Sequence, residues 1–223
     1  MATLHVLRVF TAADGGHGNP LGIFVDGGEV APERRQPIAA ELGYSETVFV
    51  DDPSRGEMRI FTPAEELPFA GHPSVGTAWL LARERGQVAA LHPPAGEVPV
   101  RYEGDLTYIA GRPDWAFPFE AVELGSSAEV EALTEPPTEA DAVYAWAWVD
   151  ERAGEMRSRF FAPGLRIEED EATGAVAVAM GGRLGRPLRI RQGAGSELLA
   201  RPLADGTVEV GGRCALDEVR SIE

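Results

Sequence analysis

The chain has 223 residues, which is long enough to bury a large hydrophobic core without disulfides or a structural metal. Acidic residues outnumber basic ones by 36 to 20, and the formal net charge of −16 argues against binding to nucleic acid or to an anionic membrane surface. The sequence contains no lysine, so all 20 basic residues are arginine. This excludes chemistry that needs a lysine, such as Schiff-base formation, attachment of pyridoxal phosphate or a Walker-type phosphate site.

The remaining composition favours an ordinary protein of the cytoplasm. The one cysteine, Cys214, allows no internal disulfide and suits a reducing compartment. The amino terminus lacks the basic region and apolar stretch of a signal peptide, and no apolar run approaches the ~20 residues needed to cross a bilayer. The four histidines are scattered without the spacing of zinc ligands, so we expect no metal.

In the first 110 residues, turn residues separate short strands from two helices. Alternating apolar and polar residues predict a first strand with one buried face. Pro32 begins the first helix and Gly43 ends it in a left-handed cap, whereas the second helix ends at Gly86. The predicted strands are 4–10, 21–26, 46–50, 58–62, 88–91, 98–102 and 106–110, and the predicted helices are 32–42 and 73–85.

A second block of similar type follows a connection. Residues 112–141 are rich in Pro, Glu and Ser and are predicted to carry one short helix near 128–133. Strands are then predicted at 143–149 and 156–161, a helix at 173–180, and further strands separated by glycine turns up to the end. Because strands and helices do not alternate with the regular rhythm of a doubly wound sheet, the pattern predicts an α+β fold.

An internal repeat is visible in these two blocks. Arg-Ile-Phe-Thr-Pro at 59–63 returns as Arg-Phe-Phe-Ala-Pro at 159–163, and Gly76 at one helix start corresponds to Gly174 at another. In both copies an acidic loop leads from the strand to the helix. The repeat predicts two related halves that direct two helix amino termini into one cleft, although a strand that ends at proline also recurs by chance.

Two residues in the first block are candidates for proton transfer. His72 lies about at the cap of the second helix, where the positive end of the helix dipole lowers the pKa of a histidine and favours a neutral imidazole. Glu46 opens an apolar strand, where burial would raise its pKa enough for general acid or base chemistry. Judged alone, a structural histidine and a solvated glutamate are the alternatives.

Three other segments invite a chemical interpretation. The segment 71–76 resembles the turn that presents a nucleophilic serine, here Ser74, but its first glycine is one residue too far away and Pro73 disturbs the turn. The segment 16–22 misses the dinucleotide fingerprint because its third glycine is one place late. The acidic run 168–171 indicates a solvated face, yet Thr173 suits a helix cap, and the backbone N–H groups of Gly174 and Ala175 suit binding of a carboxylate or an oxyanion.

Taken together, these segments resemble the PhzF-like family, the phenazine-biosynthesis isomerases within the diaminopimelate epimerase-like fold. The Leu-Pro-Phe-Ala-Gly-His-Pro run at 67–73 is the most specific of them. The matching segments are 18–20, 45–47, 59–63, 66–73, 159–163, 169–174 and 192–193. The resemblance implies two pseudo-symmetric halves, 1–110 and 111–223, each a strongly curved sheet or barrel wrapped around a central helix, with a terminal strand that is able to pack on the other half.

The resemblance also implies a cofactor-independent isomerase, commonly a homodimer, that transfers a proton on a small carboxylated substrate in the cleft between the halves. It implies catalytic roles for Glu46, His72 and Asp170. Glu46 would shuttle the proton, and the other two would handle a companion proton or hold the substrate. The substrate-binding residues that it implies are Asn19, Gly71, Gly174 and Ala175. Other enzymes of this fold use a cysteine pair, which a single cysteine excludes.

The chain departs from the family pattern at two site positions. Glu171 stands where the family usually has proline, and Ala175 stands where it usually has serine. The second half is also shorter than usual. These departures keep open the alternative of a catalytically weakened member that binds a small metabolite without turnover. A self-associating structural protein is a third possibility, with only the acidic surface in its favour.

Overall fold

The computed structural model describes residues 2–165 and 167–222 of the chain. Within these residues, fifteen strands are linked by continuous pairing and four α-helices pack against them, which confirms the predicted α+β fold. The strands are β1 (Ala2–Thr11), β2 (Asn19–Phe24), β3 (Glu46–Asp52), β4 (Glu57–Phe61), β5 (Glu66–Leu67), β6 (Ala90–Leu91), β7 (Val98–Glu103), β8 (Leu106–Gly111), β9 (Glu120–Glu123), β10 (Val143–Asp150), β11 (Glu155–Ala162), β12 (Ile167–Asp170), β13 (Leu188–Gln192), β14 (Ser196–Pro202) and β15 (Val208–Ile222). The helices are α1 (Pro32–Leu42), α2 (Gly71–Glu84), α3 (Ser127–Glu131) and α4 (Gly174–Leu184), and none of these described helices is long and apolar enough to cross a membrane.

The same order of strand pairing occurs twice along the chain. β2 and β3 are parallel, β3 and β4 are antiparallel, β4 and β5 are antiparallel, and α2 follows. β9 and β10 are parallel, β10 and β11 are antiparallel, β11 and β12 are antiparallel, and α4 follows. The repeated sequence motif therefore lies on equivalent strands, with Arg59 on β4 and Arg159 on β11.

The last strand, β15, joins the two blocks of strands. Residues 208–212 of β15 lie between β14 and β8, and residues 213–222 run antiparallel to β1. A single long strand thus continues from the second block of sheet into the first.

The first strand is buried on both faces, and the prediction of one buried face was wrong. Leu4 and Val6 belong to a core cluster that includes Ile38 of α1. Leu7 and Val9 belong to the larger core cluster, together with side chains of α2. Because successive side chains of a strand point to opposite faces, a helix on each side of β1 buries both sets.

The amino termini of α2 and α4 meet in the middle of the molecule. A Cβ on Gly71 would lie 2.5 Å from the carbonyl carbon of Gly174, and a Cβ on Gly174 would lie 2.8 Å from the backbone nitrogen of His72. Only glycine allows this close approach of two backbones. The first residues of the two helices are therefore Gly71 and Gly174, so the predicted correspondence of Gly76 with Gly174 was wrong.

Two strands lie where the sequence predicted loops. β9 falls within the connection 112–141, and β12 covers most of the acidic run. The acidic strand is accommodated because Arg159 on the neighbouring β11 donates to both carboxylate oxygens of Glu169, at 2.8 and 2.5 Å. An ion pair across the strands thus partly covers Glu169, whereas Glu168 is exposed as expected for a solvated face.

Candidate active site

A cavity of about 230 Å³ lies where the amino termini of α2 and α4 meet. One part of its wall is apolar and comes from Leu67, Phe69, Trp115 and Phe117. The Phe69 and Trp115 rings pack against each other with their centroids 5.1 Å apart. The facing part is polar, with Glu46, His72, Asp170 and Thr173 together with the first residues of both helices.

Glu46 and His72 face each other across the polar wall. β3 begins at Glu46 and α2 carries His72 as its second residue, which places the Oε2 and Nε2 atoms 3.3 Å apart. Both of these atoms are buried without a well-formed hydrogen bond. The His72 ring donates its hydrogen bond to the backbone carbonyl of Pro20, which leaves Nε2 directed at Glu46.

Burial gives the three polar side chains different protonation states. It lowers the pKa of His72 to about 3, so the imidazole is neutral. Burial and then the charge of Asp170 raise the pKa of Glu46 to about 8. Burial also raises the pKa of Asp170, to about 6, although the hydrogen bonds from Thr173 and Asn19 lower it. At neutral pH the cavity therefore holds an ionised Asp170 beside a protonated Glu46.

Asp170 is held by donors on both of its oxygens. The Asn19 amide donates to Oδ1 at 2.7 Å, and the Thr173 hydroxyl donates to Oδ2 at 2.6 Å. The Gln192 amide in turn donates to the Thr173 hydroxyl at 2.8 Å and to the Asp170 carbonyl at 3.0 Å. The Ser45 hydroxyl donates to the side-chain amide oxygen of Asn19, Oδ1, at 3.1 Å. The orientation of the Asp170 carboxylate is thus fixed from both halves of the chain.

Neither helix amino terminus at the cavity is capped by a side chain. Ala70 is the residue before α2, and Thr173, the residue before α4, uses its hydroxyl on Asp170. The first backbone N–H groups of a helix have no partner within that helix. Those at Gly71 and Gly174 lie at the wall of the cavity, where the two helix dipoles favour a negative group.

The site matches a known family. A model of the phenazine biosynthesis-like proteins (PhzC-PhzF) matches residues 7–147. The chain belongs to the PhzC-PhzF family. Two relatives named trans-2,3-dihydro-3-hydroxyanthranilate isomerase, from Pseudomonas fluorescens and Pseudomonas chlororaphis, are 31% and 32% identical to it, and each alignment covers 82% of this chain and 80% of the relative. These relatives support the assignment of the chain as an isomerase.

Solved structures show the same fold. The Bacillus anthracis phenazine biosynthesis protein of the PhzF family superposes with a TM-score of 0.81 at 18% identity, over 100% of this chain and 99% of the other. A hydroxyproline epimerase from Agrobacterium vitis gives a TM-score of 0.62 at 11% identity, over 98% of this chain and 91% of the other. The fold of this PhzC-PhzF member is therefore the one that the epimerases share.

The structure brings most of the expected site residues together. Glu46, His72 and Asp170 line one cavity in this PhzC-PhzF member, and the expected binding residues Gly71, Gly174 and Ala175 line it as well. Asn19 differs, because it is outside the lining and buried behind Asp170. The Ser74 hydroxyl is fully buried and donates to the Ala70 carbonyl at 2.7 Å, so it is not presented as a nucleophile.

The sequence did not single out the aromatic wall. Trp115 and Phe117 lie in the stretch that was predicted to be only a connection. Their clustering in Asp-Trp-Ala-Phe-Pro-Phe at 114–119 is the signal that was available, because aromatic residues in a polar connection need a surface to pack against. Nor does the part of the chain that the structure describes contain a group of three or more His, Cys, Asp or Glu side chains arranged to hold a metal ion.

Proposed function

We propose that the chain is a cofactor-independent isomerase that moves a proton within a small carboxylated substrate bound between the amino termini of α2 and α4. The convergence of Glu46, His72 and Asp170 on one cavity is the observation that carries this proposal. The volume of about 230 Å³ is below the ~300–1,000 Å³ of pockets that hold drug-sized ligands, so the substrate is small. The apolar wall suits the face of a ring.

Glu46 abstracts a proton from a carbon of the substrate and returns it to another position. As the C–H bond breaks, its electron pair delocalises toward the substrate carboxylate, where the N–H groups at Gly71 and Gly174 stabilise the added charge. Glu46 must be ionised to act as the base, and with a pKa of about 8 roughly one chain in ten is ionised at pH 7. Asp170, already ionised, holds an amino or hydroxyl group of the substrate, and His72, whose Nε2 lies 3.3 Å from Glu46 Oε2, orients the Glu46 carboxyl for the transfer.

The test uses trans-2,3-dihydro-3-hydroxyanthranilate, the compound in the names of the two relatives, in deuterated water. NMR should show an isomerised product that carries solvent deuterium at carbon. Glu46→Gln should lower the rate ~10²–10⁴-fold, as expected for loss of a general base. Glu33→Gln, which removes an exposed carboxylate of α1, is the matched control and should retain the wild-type rate.

Two results would count against the proposal. Full turnover by Glu46→Gln would remove Glu46 from the reaction. A ligand that raises the melting temperature of the wild-type chain, but exchanges no proton with any of a panel of small cyclic acids, would favour the alternative of a binding protein. The resemblance leads one to expect serine at position 175, and Ala175 keeps this alternative in view because it leaves a backbone N–H but no hydroxyl at that place on the cavity wall.

A homodimer in the cytoplasm completes the proposal. The resemblance to the family supports the dimer, and the composition, with its single cysteine, supports the compartment. Sedimentation equilibrium should give twice the chain mass of 23.9 kDa, and fractionation of cells should recover the chain with cytoplasmic enzymes.

A further inference from the structure

A second set of hydrogen bonds joins the two halves of the chain just outside the cavity. Its centre is the Glu171 carboxylate, which accepts from the Ala194 backbone N–H at 2.8 Å and from the Ser196 hydroxyl at 2.7 Å. The Ser196 oxygen in turn accepts from the Gly18 backbone N–H at 2.9 Å. We call these four residues, Gly18, Glu171, Ala194 and Ser196, the clasp. The clasp ties the loop before β2 to the loop before α4 and to the turn between β13 and β14.

The backbone around the clasp is shaped to close on the Glu171 carboxylate. Gly18, Gly193 and Gly195 have positive φ values of 95°, 58° and 148°, and His17 has a φ of 57°, which is uncommon for a residue with a side chain. A Cβ on Gly193 would collide with the Glu171 carboxylate. Glycine adopts such conformations without strain, whereas the conformation of His17 costs free energy and persists because surrounding contacts hold it.

Each end of the clasp is one residue away from a group of the site. Gly18 precedes Asn19, and Glu171 follows Asp170, while the Asn19 amide donates to Asp170 at 2.7 Å. Fixing Gly18 and Glu171 relative to each other therefore fixes both partners of this hydrogen bond across the two halves. Glu171 itself is outside the lining of the cavity.

We propose that Glu171 is a positioning residue: through the clasp it holds Asn19 against Asp170. The inference depends on the proposed function only for the statement that Asp170 is catalytic. The resemblance leads one to expect proline at position 171, where this chain has glutamate. Proline has no carboxylate that could accept from the Ala194 N–H or from the Ser196 hydroxyl.

The charges around Asp170 determine which variant should shift the pKa of Asp170 in one direction only. The titratable groups that face it are Glu46 and His72 across the cavity and Glu169 and Glu171 in its own segment. Replacing Glu171 would remove a like charge and also break the clasp, and these two changes shift the pKa of Asp170 in opposite directions. Ser196→Ala breaks the clasp but leaves every one of these charges in place.

The test is therefore Ser196→Ala, with the side-chain carboxyl carbons of aspartate labelled with ¹³C and the Asp170 signal assigned from Asp170→Asn. Loosening Asn19 removes a donor to the ionised carboxylate, so the titration midpoint of Asp170 should rise by about one pH unit. The Gly18 amide should exchange with deuterated water at least ~10-fold faster, because it loses its acceptor. Glu171→Ala should speed exchange of the Ala194 amide, because no side-chain acceptor remains for it. Glu168→Ala, at an exposed acid of the same run, should change neither this exchange rate nor the Asp170 midpoint.

An unchanged Asp170 midpoint in folded Ser196→Ala would overturn the proposal. If that variant does not fold, wild-type exchange of the Ala194 amide in Glu171→Ala would overturn it instead. The result is independent of turnover: a raised Asp170 midpoint in Ser196→Ala supports the clasp even if Glu46→Gln keeps full activity, in which case only the proposed function fails.

Discussion

Replacing Glu46 with glutamine should stabilise the fold at high pH. Burial and the charge of Asp170 raise the pKa of Glu46 from 4.5 to about 8 in the folded chain. Between these two values the folded chain binds the proton more tightly than the unfolded chain does, so the free energy of unfolding falls as the pH rises. The stabilising contribution is fully present below pH ~4.5 and has been lost above pH ~8.

The size of the effect follows from the same two values. A rise in pKa from 4.5 to about 8, at ~1.4 kcal/mol for each pH unit, sets an upper limit of about 5 kcal/mol on what ionised Glu46 costs the fold. The Glu46 side chain is 15% exposed at the cavity, and water there stabilises the ionised form. We therefore expect a cost of about 2–3 kcal/mol, which the Glu46→Gln variant avoids because glutamine does not ionise.

Urea denaturation at pH 5 and pH 9 measures this difference. The wild type and Glu46→Gln should differ by less than ~1 kcal/mol at pH 5, whereas at pH 9 the variant should be more stable by about 2–3 kcal/mol. Glu33→Gln should follow the wild type at both pH values, because its carboxylate is exposed. A variant that is less stable than the wild type by the same amount at both pH values would show that folded Glu46 is a stabilised anion, and the reasoning from burial would fail.

Three other substitutions test separate features of the structure. Gly174→Ala should destabilise the fold by about 1–3 kcal/mol in thermal denaturation, since its Cβ would lie 2.8 Å from the His72 nitrogen; an unchanged Tm would mean that the two helices separate freely. Tyr144→Phe should change the free energy of unfolding by less than ~1 kcal/mol in urea, because the buried hydroxyl contacts the Ser158 hydroxyl without a well-formed hydrogen bond, and a loss above ~2 kcal/mol would show that this contact is a full hydrogen bond. Asn19→Ala should raise the pKa of Asp170 in a ¹³C titration, and a lower pKa would contradict the contact at 2.7 Å.

Helix ends were predictable where local chemistry sets them. α1 begins at Pro32 and ends at Gly43, whose φ of 67° is the left-handed cap that the sequence indicated. α2 begins two residues before the predicted start. The residue before it is Ala70, which has no capping side chain, so the local sequence gives no signal for this start. The contact of Gly71 with Gly174 determines that end, and these residues are far apart in the sequence.

Elements that depend on distant partners were not predictable. β9 is a strand because it pairs in parallel with β10, and its own four residues carry little strand signal. The same holds in the site, where Asn19 was expected to contact the substrate but lies behind Asp170. Glu46 and His72 could be named from their local settings, whereas the resemblance alone indicated Asp170. Their meeting in one cavity required the fold.

The charge of the cavity determines how a carboxylate can enter it. Among the described residues that line it, Glu46 and Asp170 are acids and none is arginine, and the sequence has no lysine. The positive potential then comes from the two uncapped helix amino termini, each equivalent to about half a charge. These offset about one negative charge, so ionisation of Glu46 beside the ionised Asp170 weakens the binding of a carboxylate. Affinity for a carboxylate ligand should therefore fall above the Glu46 pKa of about 8 in wild type but not in Glu46→Gln. Calorimetry at pH 7 and pH 9 compares the two, and a parallel fall in both proteins would show that some other group controls entry.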